Sequence, residues 1–127
     1  MEMPKHAVQW FEIPVRDFAR ARKFYEAIFD YQMPEMEMGP TRMGILLHDQ
    51  PGGGVGGAIV HSEGCEPSKQ GTIVYLSGGN DLSVVLNRVA QAGGQVVVPK
   101  TAITPEHGFF GHFLDTEGNR VGLHSMK

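Results

Sequence analysis

Asp17 and Asp81 lie 64 residues apart, and each stands between a short apolar run and a segment whose apolar residues recur at helical spacing. After Asp17 these residues are Phe18, Ala21, Tyr25 and Ile28, with Phe24 beside them. After Asp81 they are Leu82, Val85, Val89 and Ala92, closed by the stop signal Gly93-Gly94. Strand-like stretches precede both caps, at Gln9 to Val15 and Thr72 to Leu76. Three short apolar runs divided by turn residues follow each helix: 33–38, 43–48 and 55–61 in the first half, then 95–103, 109–114 and 120–124 in the second. The chain therefore reads βαβββ twice, with a module at 7–62 and another at 71–126 inside one domain spanning 1–127. The 64-residue register sets Phe11 on Tyr75 and Phe18 on Leu82.

A half of this size with one helix can bury only one face of its sheet. Two halves packed edge to edge solve that problem, giving an α+β domain whose helices cover the outer side. The inner, concave side is then built from both halves, and a ligand belongs there.

Composition narrows the partners. A net charge of −3 argues against nucleic acid, whose non-specific affinity rests on clustered cations. The one basic cluster, Arg16, Arg20, Arg22 and Lys23, spreads around the polar side of the first helix and reads as a solvated face. No apolar run approaches the length needed to cross a bilayer, so no membrane partner is expected. Met1 to His6 lacks the basic-then-apolar build of a secretion signal, and the lone Cys65 cannot pair internally. A cytoplasmic protein is the expectation.

Several local patterns resolve into structure and not chemistry. Gly52 to Gly57 formally satisfies G-x-G-x-x-G, but a dinucleotide site needs a helix after the glycines, and Ala58 to His61 reads as strand. His61-Ser62-Glu63 copies a fragment of the zinc deaminase signature without its paired cysteines. Asp115, Gly118 and Asn119 are turn formers.

The phrase "WFEIPVRDFARARKFY" at Trp10 to Tyr25, the run "AGGQVVVPKTAI" at Ala92 to Ile103 and the ending "DTEGNRVGLHS" at Asp115 to Ser125, set in the doubled βαβββ order, resemble the vicinal oxygen chelate superfamily. That superfamily includes glyoxalase I, bleomycin-resistance proteins and extradiol dioxygenases. The resemblance implies two modules forming an incomplete barrel around a cleft, and a homodimer. It also implies one divalent metal held by His and Glu side chains from the first and last strands of each module. Carried over, those positions are Trp10, Val74, Gly122 and a residue near Ala58, and none of these side chains coordinates a metal. No cofactor is expected. A divalent metal fits only a relocated site made of Glu12, His61 and His124.

Strand alternation puts Glu12 on the face of Trp10 and His124 on the face of Gly122, so both point into the cleft. Glu12 is the candidate general acid or base, with His124 as a second catalytic group. Trp10, Met36, Met38, Phe110 and His112 are the candidate ligand-binding residues, since aromatic rings and flexible thioethers suit a partly apolar or aromatic small molecule. The leading expectation is a glyoxalase-like protein that binds or transforms such a molecule without the usual metal quartet. The alternatives are a metal-dependent lyase or dioxygenase, and a non-catalytic drug or metabolite binder of the bleomycin-resistance kind.

Overall fold

A computed structural model describes residues 1–127. Strand β1 (Trp10–Pro14) leads through Val15 and Arg16 into helix α1 (Phe18–Phe29). The Asp17 carboxylate accepts the Arg20 backbone N–H at 3.0 Å, which satisfies one of the donors left unpaired in the first turn. Strands β2 (Glu35–Met38), β3 (Thr41–Ile45) and β4 (Gly56–His61) complete the first half. The second half repeats the order with β5 (Tyr75–Ser77), α2 (Ser83–Leu86), β6 (Gln95–Thr104), β7 (Gly108–Leu114) and β8 (Arg120–Ser125).

Each half makes its own four-stranded sheet, β1-β4-β3-β2 in sheet A and β5-β8-β7-β6 in sheet B. In both, the first strand runs parallel to the last and the other pairs are antiparallel. The sheets share no strand pairing and do not close into a barrel.

One hydrophobic core joins the two halves. Ile13, Val15 and Ile59 of the first half, Leu76, Phe113, Val121 and Leu123 of the second, and the buried faces of both helices belong to a single cluster. The Phe24 ring of α1 lies 5.7 Å from Phe113 in sheet B, so α1 packs on both sheets. Burying each such ring contributes about 1.5–3 kcal/mol. The opposite faces of the two sheets therefore turn away from the shared core.

Three further differences follow from local geometry. Met33 is not in a strand; it is buried in the core, with its backbone N–H donating to Glu26 at 2.9 Å. The regular part of α2 is short, although Leu82, Val85 and Val89 are all buried as the spacing predicts, and Asp81 accepts the Ser83 N–H at 2.9 Å. Finally, the first strands of the two halves are related by 63 residues, not 64. Ile13 and Leu76 both enter the core, opposite Ile59 and Leu123. Glu12, opposite Ala58, thus corresponds to Tyr75, opposite Gly122.

Candidate functional site

The outer face of sheet A is an apolar floor with one carboxylate. Ile13 and Ile59 enter the core, so alternation sends Trp10, Glu12, Ala58 and Val60 to the other side. Met43 pairs with Val60 and with Met36, and Met38 follows two residues on. Met43, Ala58 and Val60 are buried in a small cluster of their own. Around them Trp10, Met36 and Met38 stand 43%, 50% and 62% exposed, far more than large apolar side chains in a finished core. The Trp10 indole Nε1–H donates to Glu12 at 3.3 Å. Glu12 itself is exposed in the single chain.

The outer face of sheet B is more polar. Gly122 lies between Tyr75 on one side and His112 on the other. A Cβ at Gly122 would overlap the Tyr75 ring, so the aromatic ring fills the space that any side chain there would need. The Tyr75 hydroxyl lies 2.7 Å from His112 Nε2, and the Arg120 guanidinium lies 3.1 Å from His112 Nδ1. Burial, and after it the charge of Arg120, push the His112 pKa down. Phe110 and His124 are cross-strand partners, and with Tyr75 and Ile103 they line a cavity of about 440 Å³. His124 Nε2 donates to the His107 carbonyl at 2.6 Å.

The structure thus groups the sequence candidates into two sets. Trp10, Glu12, Met36 and Met38 share one face; Phe110, His112 and His124 share the other. None of the three principal cavities joins Trp10, Met36 or Met38 to Phe110, His112 or His124. Glu12 and Arg120 do border a common groove, of about 200 Å³, between the β1 edge and the connection at Glu66 to Thr72. Sequence reasoning missed Tyr75 and Arg120. Their signal is parity: Tyr75 alternates with core Leu76, and Arg120 lies two residues before Gly122.

The donor set does not fit a metal. Glu12, Ala58, Tyr75 and Gly122 occupy the matched outer-face positions, where one carboxylate and one phenol fall short of the three donors an ion needs, and Val74 packs against the core instead of joining them. The relocated trio fails within one chain as well. His61 lies two residues beyond core Ile59, on the helix side opposite Arg42, with Nδ1 3.0 Å from the Val15 carbonyl. No group of three or more His, Cys, Asp or Glu side chains is gathered closely enough to hold an ion.

The largest cavity, about 730 Å³, opens on the helix side, where Phe11, Phe29 and Leu46 meet Leu76 and Val85 beneath a rim bearing Asp49, Asn80 and Asp81. Its walls are mostly the margin of the shared core. The glycine run lies here as a loop entering β4, with Phe11 packed against Gly57, and no helix follows it. Cys65 is exposed and unpaired. No helix is long and apolar enough to cross a membrane.

Comparison with known proteins agrees with this architecture. Among solved structures, a glyoxalase I mutant from Zea mays superposes with a TM-score of 0.71 at 18% identity, covering 92% of this chain and 45% of that one. This chain therefore spans about half the length of the maize enzyme. A glyoxalase/bleomycin resistance protein/dioxygenase domain from Frankia sp. EAN1pec gives a TM-score of 0.70 at 18% identity, over 98% of this chain and 100% of that one. TnmS3, an antibiotic binding protein from Streptomyces sp. CB03234, gives 0.65 at 24% identity, over 98% of each chain. At these identities the likeness carries the fold alone. No curated protein matches the sequence. A family model does match, over residues 7–123. The chain belongs to the Glyoxalase/Bleomycin resistance protein/Dioxygenase superfamily.

Proposed function

We propose that this protein is a homodimeric binder of a small, partly aromatic molecule, and that it holds its ligand between sheet A of one chain and sheet B of a second copy. The observation that carries this reading is the pair of uncovered faces. Each displays large apolar side chains around a few polar groups, Trp10, Met36 and Met38 with Glu12 on one, Tyr75, Ile103 and Phe110 with His112 and His124 on the other. Burying them together removes apolar surface from water and brings the carboxylate of sheet A opposite the basic groups of sheet B. Two such interfaces related by a twofold axis close the assembly and make two equivalent clefts. The antibiotic-binding role of TnmS3 accords with this reading.

Complementation between damaged chains tests it. Trp10→Ala and Phe110→Ala each remove one wall, so neither homodimer should bind an aromatic probe such as 8-anilinonaphthalene-1-sulfonate in its clefts. Mixing unfolded chains of the two variants and refolding them yields half heterodimers, each with one intact cleft. About a quarter of the wild-type sites should then return. A mixture that recovers nothing places the site within one chain and defeats the reading.

Glu12 supports a catalytic version of the same cleft, because it is the one carboxylate on the outer face of sheet A and already accepts a hydrogen bond from Trp10. In that version Glu12 takes a proton from the bound molecule. Glu12→Gln should abolish turnover and leave ligand affinity within about threefold; unchanged turnover removes Glu12 from the chemistry.

A further inference from the structure

The Arg120–His112–Tyr75 chain has a fixed polarity, and that polarity defines what the open face of sheet B offers a ligand. A guanidinium only donates. The Arg120 Nη1 atom lies 3.1 Å from His112 Nδ1, so Nδ1 must be the ring's unprotonated nitrogen. A neutral imidazole carries one N–H, which then sits on Nε2 and donates to the Tyr75 oxygen at 2.7 Å. The doubly protonated ring is disfavoured in this setting: His112 is only 8% exposed, and both its burial and Arg120 oppose a second proton. The Tyr75 hydroxyl hydrogen consequently has no partner in the chain. Tyr75 is one of the four residues that line the cavity formed with Ile103, Phe110 and His124.

We propose that Arg120 and His112 are positioning residues that turn Tyr75 into an obligatory hydrogen-bond donor, and that the sheet B face selects aromatic molecules carrying an oxygen acceptor, such as an aryl ketone. The inference rests on the binding reading above and adds the chemical class of the ligand. Phe110 and Ile103 supply the flat apolar contact. The Tyr75 hydroxyl supplies a single directional bond, and a bound molecule lacking the acceptor leaves that donor desolvated and unpaired.

Two measurements test it. The first needs no ligand: nitrogen-15 spectra of histidine-labelled protein report which imidazole nitrogen carries the proton. A pyridine-like Nδ1 and a pyrrole-like Nε2 at His112 are expected, and Arg120→Met should allow the opposite tautomer. The second compares 9-fluorenone with fluorene, the same rings without the carbonyl, by quenching of Trp10, the only tryptophan. Wild-type protein should prefer the ketone by about tenfold, and Tyr75→Phe should bring the two within about twofold while keeping fluorene affinity. Arg120→Met should reduce the preference as well, although it touches neither probe. A proton found on Nδ1 of the wild type overturns the inference, as does a ketone preference that survives Tyr75→Phe. Equal binding of both probes to the wild type overturns the donor role and leaves the cleft reading intact. If neither probe binds, the cleft reading fails, and the spectrum alone then decides the polarity of the chain.

Discussion

The Tyr25 hydroxyl donates a 2.8 Å hydrogen bond to Asp115 Oδ2, tying the middle of the first helix to the last turn of the second half. Both groups are buried. Burial holds the Tyr25 pKa well above its ordinary value, with the charge of Asp115 adding to the effect, so Tyr25 remains a neutral donor. Burial also pushes Asp115 up, and its bonds from the Asn119 and Glu117 backbone N–H groups and from Tyr25 oppose that rise. The same turn sends the Asn119 side-chain amide to the Pro14 carbonyl at 2.7 Å and Glu117 to Arg20. The two halves are thus latched by polar bonds as well as by the core, and the latch holds their outer faces apart.

Tyr25→Phe should lower the free energy of unfolding by about 1–3 kcal/mol, because it leaves one oxygen of a buried carboxylate short of a donor. Urea titration measures the loss. Pairing it with Asp115→Asn should cost less than the two single changes added together, since the residues share one bond.

Acid should loosen the latch through Glu117. Its side chain is fully buried, and burial alone raises its pKa. The Arg20 bond, the Asp17 N–H, the Thr116 hydroxyl and the Arg16 N–H together outweigh burial and hold it down to about 2. A carboxyl whose pKa is depressed on folding stabilises the protein above its unfolded value, near 4.5, and that stability is lost as the pH falls towards 2. Arg20 is half exposed, so solvent screening limits the contribution to roughly 2 kcal/mol at neutral pH. The raised pKa of Asp115 acts in the opposite sense and offsets part of the loss. Thermal unfolding followed from pH 7 to pH 3 should show a steeper fall for the wild type than for Glu117→Gln, which starts lower and changes less.

Alternation and capping make most of this architecture legible in the sequence. Ile13 between Glu12 and Pro14 assigns the faces of β1, and Asp17 marks the start of α1. The second half was harder to read, because the two strand-to-helix connections differ. Val15 and Arg16 separate β1 from its cap, whereas Gly78, Gly79 and Asn80 separate β5 from Asp81. Aligning the caps therefore slips β5 by one residue, and a one-residue slip exchanges the faces of a strand. Cap alignment puts Val74 on the outer face, but Val74 lies against the core, and Tyr75 takes the open face instead. Which sheet faces stay open was not readable at all. A period of two tells which face a residue takes but not what covers that face, and the packing of α1 on both Ile59 and Phe113 decided it.

Self-association should depend on the uncovered face of sheet A. Met36→Lys places a charge beside Met43, on the same outer face as Met38 and Trp10, without touching the shared core. Sedimentation velocity should find the wild type as a dimer and this variant as a monomer, with helix content unchanged by circular dichroism. A wild type that stays monomeric up to about 100 μM, far above a typical specific dimer's dissociation constant, contradicts the two-chain cleft.

Gly122 offers the sharpest contrast between stability and binding. The Tyr75 ring lies over it, in the place a side chain would occupy, so Gly122→Ala must push the ring outward along the exposed edge of sheet B. Tyr75 is half exposed, and a ring with solvent beside it moves more cheaply than one in a packed core. The cost in stability should stay near 1–2 kcal/mol, within the range of ordinary overpacking. The hydroxyl, however, should lose its 2.7 Å contact with His112, and the neighbouring cavity its shape. Aromatic-ligand affinity is expected to fall about tenfold or more while the fold persists. Gly57→Ala meets the Phe11 ring in the same way on the core side of sheet A. There the ring is partly buried against the core, on the side away from Tyr75 and His112, so the loss should appear in urea titrations and hardly at all in ligand affinity. If the two alanines act alike in both assays, Tyr75 is not part of the binding face.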